Sequence, residues 1–255
     1  MSVLGNTTPL EFLRDYWQQK PLLICNALAG YVSPLTADEL AGLALEKEVE
    51  SRLIESYAGQ WSLRHGPLEE ADFLNLPEQE WTLLVQGVDL WVPQVQELLQ
   101  RFDFLPPWRL DDVMVSFACP GGSVGPHFDQ YDVFLLQVEG QRRGQIGPTC
   151  NSQTPLREDV PLRQIKDFAP EHEWLLDAGD MLYLPPGVSH WGIAETECLT
   201  FSIGFRSPSI VDMLGDLSVE LLSQGHDAHY RDPARTPETA TQDIHPAFTA
   251  QAKQH

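Results

Sequence analysis

Apolar positions recur along this 255-residue chain with two periods, and each period marks a different kind of element. Over residues 8–19, Leu10, Phe12, Leu13, Tyr16 and Trp17 fall three or four apart, the spacing of one helix face, with Thr8 as N-cap and Pro9 in the first turn. Pro21 stops that helix, and residues 22–24 start a short strand. Thr36 and Glu39 stand three apart as a capping box and open a second helix. Short apolar runs then predict strands at 50–55 and 60–64 around an Ala58-Gly59 turn, and at 81–88, 113–117, 131–138, 181–184 and 198–205. Residues 93–102 read as a helix, and 147–170, rich in proline and polar residues, as an irregular loop. Many short strands divided by glycine and proline predict a β-sandwich or barrel. Helical spacing returns over 210–222 through Ile210, Met213, Leu214, Leu217, Leu221 and Leu222, and the sequence after Gln224 is polar and aperiodic.

Composition narrows the setting. Hydrophobic residues make up 42% of the chain, enough for a packed core. No apolar run approaches the roughly 20 residues that span a bilayer, and the N-terminus lacks the basic and apolar regions of a signal peptide. The protein is expected to be soluble and cytoplasmic. Cys25, Cys119, Cys150 and Cys198 are scattered without a Cys-x-x-Cys pair, which predicts reduced thiols rather than a cysteine metal site or disulfide framework. Sixteen basic against 37 acidic residues give a formal net charge of −21. That balance disfavours direct binding to nucleic acid and favours encounter with a basic partner, although acidity also serves solubility alone.

The candidate chemistry lies in three residues. His127 and Asp129 follow the glycine-rich run Pro120-Gly-Gly-Ser-Val-Gly-Pro126, and His190 closes Asp180-Met-Leu-Tyr-Leu-Pro-Pro-Gly-Val-Ser-His190. On a strand, residues i and i+2 point the same way, so His127 and Asp129 would share one metal, with His190 arriving on a neighbouring strand. Two imidazoles and a carboxylate form the facial triad that holds Fe(II) and leaves the opposite positions open for a co-substrate and dioxygen; zinc or manganese would also bind this set. The plainer reading is a buried His–Asp hydrogen bond.

Around the triad, Arg142 and Arg143 would point to opposite faces of a strand, so one would face inward and hold a co-substrate carboxylate bidentately. Ser116 would add a hydroxyl to that anion. Asp112, Met114 and Tyr131 sit near strand ends that should flank the metal, an acidic and aromatic lining suited to a cationic side chain. Solvated arginines, a satisfied core serine and ordinary core packing are the plainer readings of these residues. His65, His172, His226, His229, His245 and His255 have no partner at ligand spacing and read as surface or tail residues.

Over residues 9–232 the chain resembles the bacterial JmjC-type ribosomal oxygenases, 2-oxoglutarate/Fe(II) enzymes that hydroxylate an arginine of large-subunit ribosomal protein sixteen. The matching runs include Phe12-Leu-Arg-Asp-Tyr-Trp-Gln-Gln-Lys-Pro, Glu50-Ser-Arg-Leu, Trp108-Arg-Leu-Asp-Asp, Pro120-Gly-Gly-Ser-Val-Gly-Pro-His-Phe-Asp-Gln-Tyr-Asp-Val-Phe and Gly179-Asp-Met-Leu-Tyr-Leu-Pro-Pro-Gly. The resemblance implies a mainly β fold with flanking helices, the double-stranded β-helix of cupins and JmjC jelly rolls. It implies Fe(II) on His127, Asp129 and His190, and 2-oxoglutarate held by Arg142 and Ser116, with dioxygen as the second co-substrate. Asp112, Met114 and Tyr131 match positions lining a pocket for the substrate arginine, and the basic ribosomal substrate suits the acidic chain.

By the same resemblance, residues 1–208 form the oxygenase domain, 209–232 begin a helical region where a homodimer would form, and 233–255 make a polar, disordered tail. The family continues into a winged-helix-like domain, so the chain is expected to be a truncated or shortened relative. It also carries a tryptophan where this chain has Gly144, an exchange expected to loosen that strand. The rival readings are a same-fold oxygenase acting on another residue, such as histidine, or on a small molecule, and a non-catalytic metal-binding cupin.

Overall fold

The computed structural model describes residues 3–225 together with His229, Arg231, Pro246, Thr249 and Ala250. They fall into two compact units divided between Ser207 and Pro208. The first holds eleven described strands in two antiparallel sheets, the layout the jelly-roll reading predicts. The larger sheet takes β1 (Leu22–Ile24), β2 (Ser51–Tyr57), β3 (Gln60–His65), β4 (Trp81–Val85), β5 (Leu110–Ala118), β6 (Asp132–Glu139), β9 (Met181–Leu184) and β11 (Cys198–Phe205) in the order β1-β9-β6-β11-β5-β4-β2-β3. The smaller takes β7 (Arg142–Thr149), β8 (His172–Leu176) and β10 (Val188–Ala194) in the order β10-β7-β8.

Alternation along the large sheet separates core from cavity. Val113 and Val115 on β5, Phe134 and Leu136 on β6, and Phe201 and Ile203 on β11 belong to one buried cluster. That cluster includes Phe12 of α1 (Pro9–Asp15), Leu40 of α2 (Ala37–Leu43) and Val95 and Leu98 of α4 (Pro93–Leu99). The residues between them, Met114 and Ser116, Val133 and Leu135, and Thr200 and Ser202, line a cavity on the other face. Because the side-chain period of a strand is two, one stretch of sequence supplies both surfaces.

The helix ends follow local chemistry. Thr8 with Glu11 and Thr36 with Glu39 form the predicted capping boxes. The first helix stops at Asp15 rather than at 19, because Gln18 turns into the left-handed region (φ 58°) and its N–H is taken by the Tyr183 hydroxyl at 2.8 Å. The strand predicted over 81–88 ends at Val85, where Gly87 (φ 62°) turns the chain into a short 3₁₀ segment. The region read as loop contributes more order than expected, since β7 runs on to Thr149, and Leu156 and Ile165 pair across an isolated bridge. The short α3 (Glu70–Leu74) and β8 carry no strong periodic signal and escape sequence analysis.

In the second unit, α5 (Ile210–Ser223) starts at a Ser209–Asp212 capping box, and Ile210, Met213, Leu214, Leu217 and Leu222 are all exposed along it. The expected tail at 233–255 lies largely outside the described residues, as do His226, His245 and His255. Among the described residues, no helix is long and apolar enough to cross a membrane. All four cysteines are free thiols.

Candidate metal and co-substrate site

His127 and Asp129 lie in the segment between β5 and β6, not on a strand as expected, and a different device aligns them. His127 forms an isolated antiparallel bridge with His190 of β10: His127 N–H donates to His190 O at 3.0 Å, and His190 N–H donates to His127 O at 2.8 Å. The Gly187 N–H of the Pro-Pro-Gly turn donates to Asp129 O at 2.7 Å, tying the third residue to the same turn. One ligand atom from each of the three residues then lies within 4.8 Å of the others. Asp129 Oδ2 is 3.9 Å from His127 Nε2 and 3.8 Å from His190 Nε2.

Both imidazoles are oriented through their other nitrogen. His127 Nδ1 is 2.9 Å from Gly125 O and His190 Nδ1 is 3.1 Å from Val188 O. A carbonyl beside Nδ1 selects the Nδ1–H tautomer and leaves the Nε2 lone pair free toward the metal position. Burial, and next the adjacent His127, lower the pKa of His190 to about 4, which favours the neutral form that ligates. Neutral imidazoles and a carboxylate facing one point fit a divalent metal with mixed nitrogen and oxygen preference.

The triad borders a cavity of about 570 Å³. Arg142 and Ser116 line it; Ser116 Oγ donates to Thr200 O at 3.4 Å, and Arg142 Nη2 lies 3.6 Å from Cys198 Sγ. Arg142 is the inward member of the pair, because Arg143 turns to Glu195, its Nη2 2.5 Å from Oε1. The Arg142 Nε is buried without a partner. An orphaned buried guanidinium nitrogen is costly unless an anion completes it, so this end of the cavity fits a carboxylate.

Of the three residues expected to line a substrate pocket, Met114 and Tyr131 do so. Burial, with Asp129 next, raises the Tyr131 phenol above its usual range and keeps it protonated. Asp112 stands behind the wall instead: its Oδ2 accepts from Gln86 Nε2 at 2.7 Å and from Gly87 N–H at 2.8 Å, and Gln86 lines the cavity. Sequence analysis missed Arg52, His65 and Arg163, which also line it. Arg52 shares a face with Ile54, a signal present in the alternation of β2 but unremarkable among charged residues. Gly144 sits in an unbroken strand paired to Gly192 and Trp174, and a Cβ there would lie 2.9 Å from Leu176 Cδ1.

The segment 155–166 closes over the metal loop. Ile165 N–H donates to Pro126 O at 2.8 Å, and the fully buried Gln164 donates through Nε2 to Val124 O at 3.1 Å. Gly125 (φ +79°) leaves the room for it, since a Cβ there would fall 2.2 Å from Gln164 Nε2. Gly125→Ala is expected to destabilise the protein by about 1–3 kcal/mol from backbone strain alone, and to weaken metal binding by displacing the carbonyl on His127. A melting curve and a metal titration check this; unchanged values for both would refute it.

A family model described as "JmjC domain" matches residues 97–213. The chain is 40% identical over 222 residues to the "Probable ribosomal oxygenase" of Haemophilus influenzae, the match covering 86% of this chain and 55% of that protein. It is 38% identical over 240 residues to the "Ribosomal protein uL16 3-hydroxylase" of Escherichia coli, covering 92% of this chain and 63% of that protein. The chain therefore spans between 55% and 63% of the length of these two relatives. The X-ray structure of E. coli ycfD superposes with a TM-score of 0.89 at 36% identity, covering 100% of this chain and 68% of that one. The structure of YcfD, a ribosomal oxygenase from E. coli, in complex with cobalt and 2-oxoglutarate superposes with a TM-score of 0.86 at 36% identity, covering 98% and 66%.

Proposed function

This chain belongs to the JmjC-domain ribosomal oxygenase family, and we propose that it is an Fe(II)- and 2-oxoglutarate-dependent dioxygenase that hydroxylates an arginine side chain of a large-subunit ribosomal protein. The observation that carries the reading is the pair of imidazoles whose Nδ1 atoms are pinned by backbone carbonyls, both Nε2 atoms within 4 Å of one Asp129 oxygen. Bound iron and 2-oxoglutarate would supply the oxidising power, splitting dioxygen between decarboxylation of the keto acid to succinate and a hydroxyl on the substrate.

The chain's residues do the rest. His127, Asp129 and His190 hold the metal on one face; Arg142 and Ser116 hold the far carboxylate. Ile54, Leu84, Val133 and Leu135 keep that part of the cavity apolar, which strengthens the charge contacts within it. Met114 and Tyr131, with Gln86 fixed by Asp112, receive the substrate side chain. The net charge of −21 draws in a basic ribosomal protein in the cytoplasm, and the exposed apolar face of α5 serves a homodimer.

The test is incubation of the protein with Fe(II), 2-oxoglutarate and a peptide carrying an arginine of the large-subunit protein, read by mass spectrometry. A gain of one oxygen on the arginine, absent with His127→Ala, is expected. Succinate without that gain would move the assignment to another residue or a small molecule, and neither product would leave a metal-binding cupin.

A further inference from the structure

Among the described residues, two buried side-chain polar atoms have no hydrogen-bond partner: Arg142 Nε and Thr82 Oγ1. Both residues line the same cavity, and Thr82 is 1% exposed. Buried hydroxyls in folded proteins almost always find a partner, so two orphans at one cavity point to a shared occupant.

The sheet register shows where that occupant would lie. Thr82 of β4 stands opposite Ala118 of β5, and Ala118 stands opposite Cys198 of β11. Directly opposed residues share a face, so the three form one row on the sheet face that carries Ser116 and Thr200, where Ala118 and Cys198 pack with Ala194 in a small buried cluster beside the cavity. With strands about 4.8 Å apart, the row spans roughly 10 Å between its outer Cα atoms. The Arg142 guanidinium stands at the Cys198 end, Nη2 3.6 Å from Sγ, and the Thr82 hydroxyl at the other. Between them Ala118 offers only a methyl group, and Ser116 lies two residues along the same face of β5. Gly122 passes close over Thr82, where a Cβ would come to 3.0 Å from the hydroxyl oxygen.

We propose that Thr82 is a third donor to the distal carboxylate of the dicarboxylic co-substrate, beside Arg142 and Ser116. The assignment rests on the co-substrate reading above and refines it. A carboxylate offers about four acceptor positions; Arg142 supplies donors on one side, and two hydroxyls complete the other. Thr82 selects for the dicarboxylate over keto acids that lack the far carboxylate.

The test uses Mn(II)-loaded protein without oxygen, and calorimetry of 2-oxoglutarate against 2-oxobutyrate, which keeps the keto-acid head and lacks the distal carboxylate. Thr82→Val retains the side-chain shape and removes the hydroxyl. It is expected to weaken 2-oxoglutarate about tenfold, equivalent to about 1.4 kcal/mol, and to leave 2-oxobutyrate unchanged. Thr82→Ser should restore the wild-type value. Equal 2-oxoglutarate affinity in wild type and Thr82→Val overturns the assignment alone, as does an equal loss for both keto acids. Failure of the wild type to bind 2-oxoglutarate overturns the co-substrate reading and this assignment with it.

Discussion

Asp129→Ala is expected to abolish the proposed hydroxylation and to lower metal affinity by more than the roughly 10–100-fold that loss of an outer-shell partner costs. The carboxylate is the one anionic member of the triad, 3.9 Å from His127 Nε2 and 3.8 Å from His190 Nε2. Without it, two neutral imidazoles face a divalent ion with no charge to balance it. The fold should persist, because the contact that ties this residue to the Pro-Pro-Gly turn runs through its backbone oxygen, 2.7 Å from Gly187 N–H. Two measurements check this together. In the wild type, metal at about 100 times its Kd should stabilise the protein by about 2.7 kcal/mol. The variant should melt near the metal-free wild type and gain nothing from added metal. A variant that kept the metal-dependent rise in Tm would remove Asp129 from the ligand set.

Asp132→Ala should cost more stability than any other single change described above, about 3–5 kcal/mol. Asp132 is wholly buried and accepts from the Tyr183 hydroxyl at 2.6 Å, Gln18 Nε2 at 3.1 Å and Arg109 Nη2 at 3.0 Å. Burial raises its pKa, while these hydrogen bonds and the Arg109 charge pull it down. Truncation leaves the Arg109 side chain, 12% exposed, without its carboxylate and loosens the Tyr183 hydroxyl that accepts the Gln18 N–H just past the first helix. For a domain of this size a Tm drop of roughly 10 °C follows. Asp132→Asn keeps the acceptor and should lose less. A Tm within a degree or two of wild type for Asp132→Ala would show that the network contributes little.

Much of this was legible in the sequence because it rests on local chemistry. The capping boxes at Thr8 and Thr36 need only side chains three residues apart. On β11 one face is wholly apolar, through Leu199, Phe201, Ile203 and Phe205, so its run stands out. The candidate triad is legible in residue type and in the glycine and proline residues around it, although the strand expected to align His127 with Asp129 is replaced by a bridge to His190. What stayed hidden depends on pairing between distant segments. That Arg142 rather than Arg143 faces inward follows from the register of β7 with β10 and β8. Thr82 gained meaning only when β4 was laid beside β5, and Asp112 receded behind Gln86 for the same reason. Arg52, His65 and Arg163 come from three separate segments, and nothing along the chain marks them as neighbours.

The strict alternation of the large sheet has a consequence for how such a protein diversifies. Along β4, β5 and β11, Leu83, Val85, Val113, Val115, Phe201 and Ile203 belong to the aromatic and aliphatic core, and Thr82, Leu84, Met114, Ser116, Thr200 and Ser202 between them belong to the cavity. Drift at residues such as Met114 or Ser202 can reshape the cavity while Val113, Val115, Phe201 and Ile203 go on holding the scaffold. Deleting one residue within these strands would do the opposite, turning the whole core row toward the cavity and the polar row into the interior. Substitution is therefore the open route to new substrates for this architecture, and changes in strand length are closed to it.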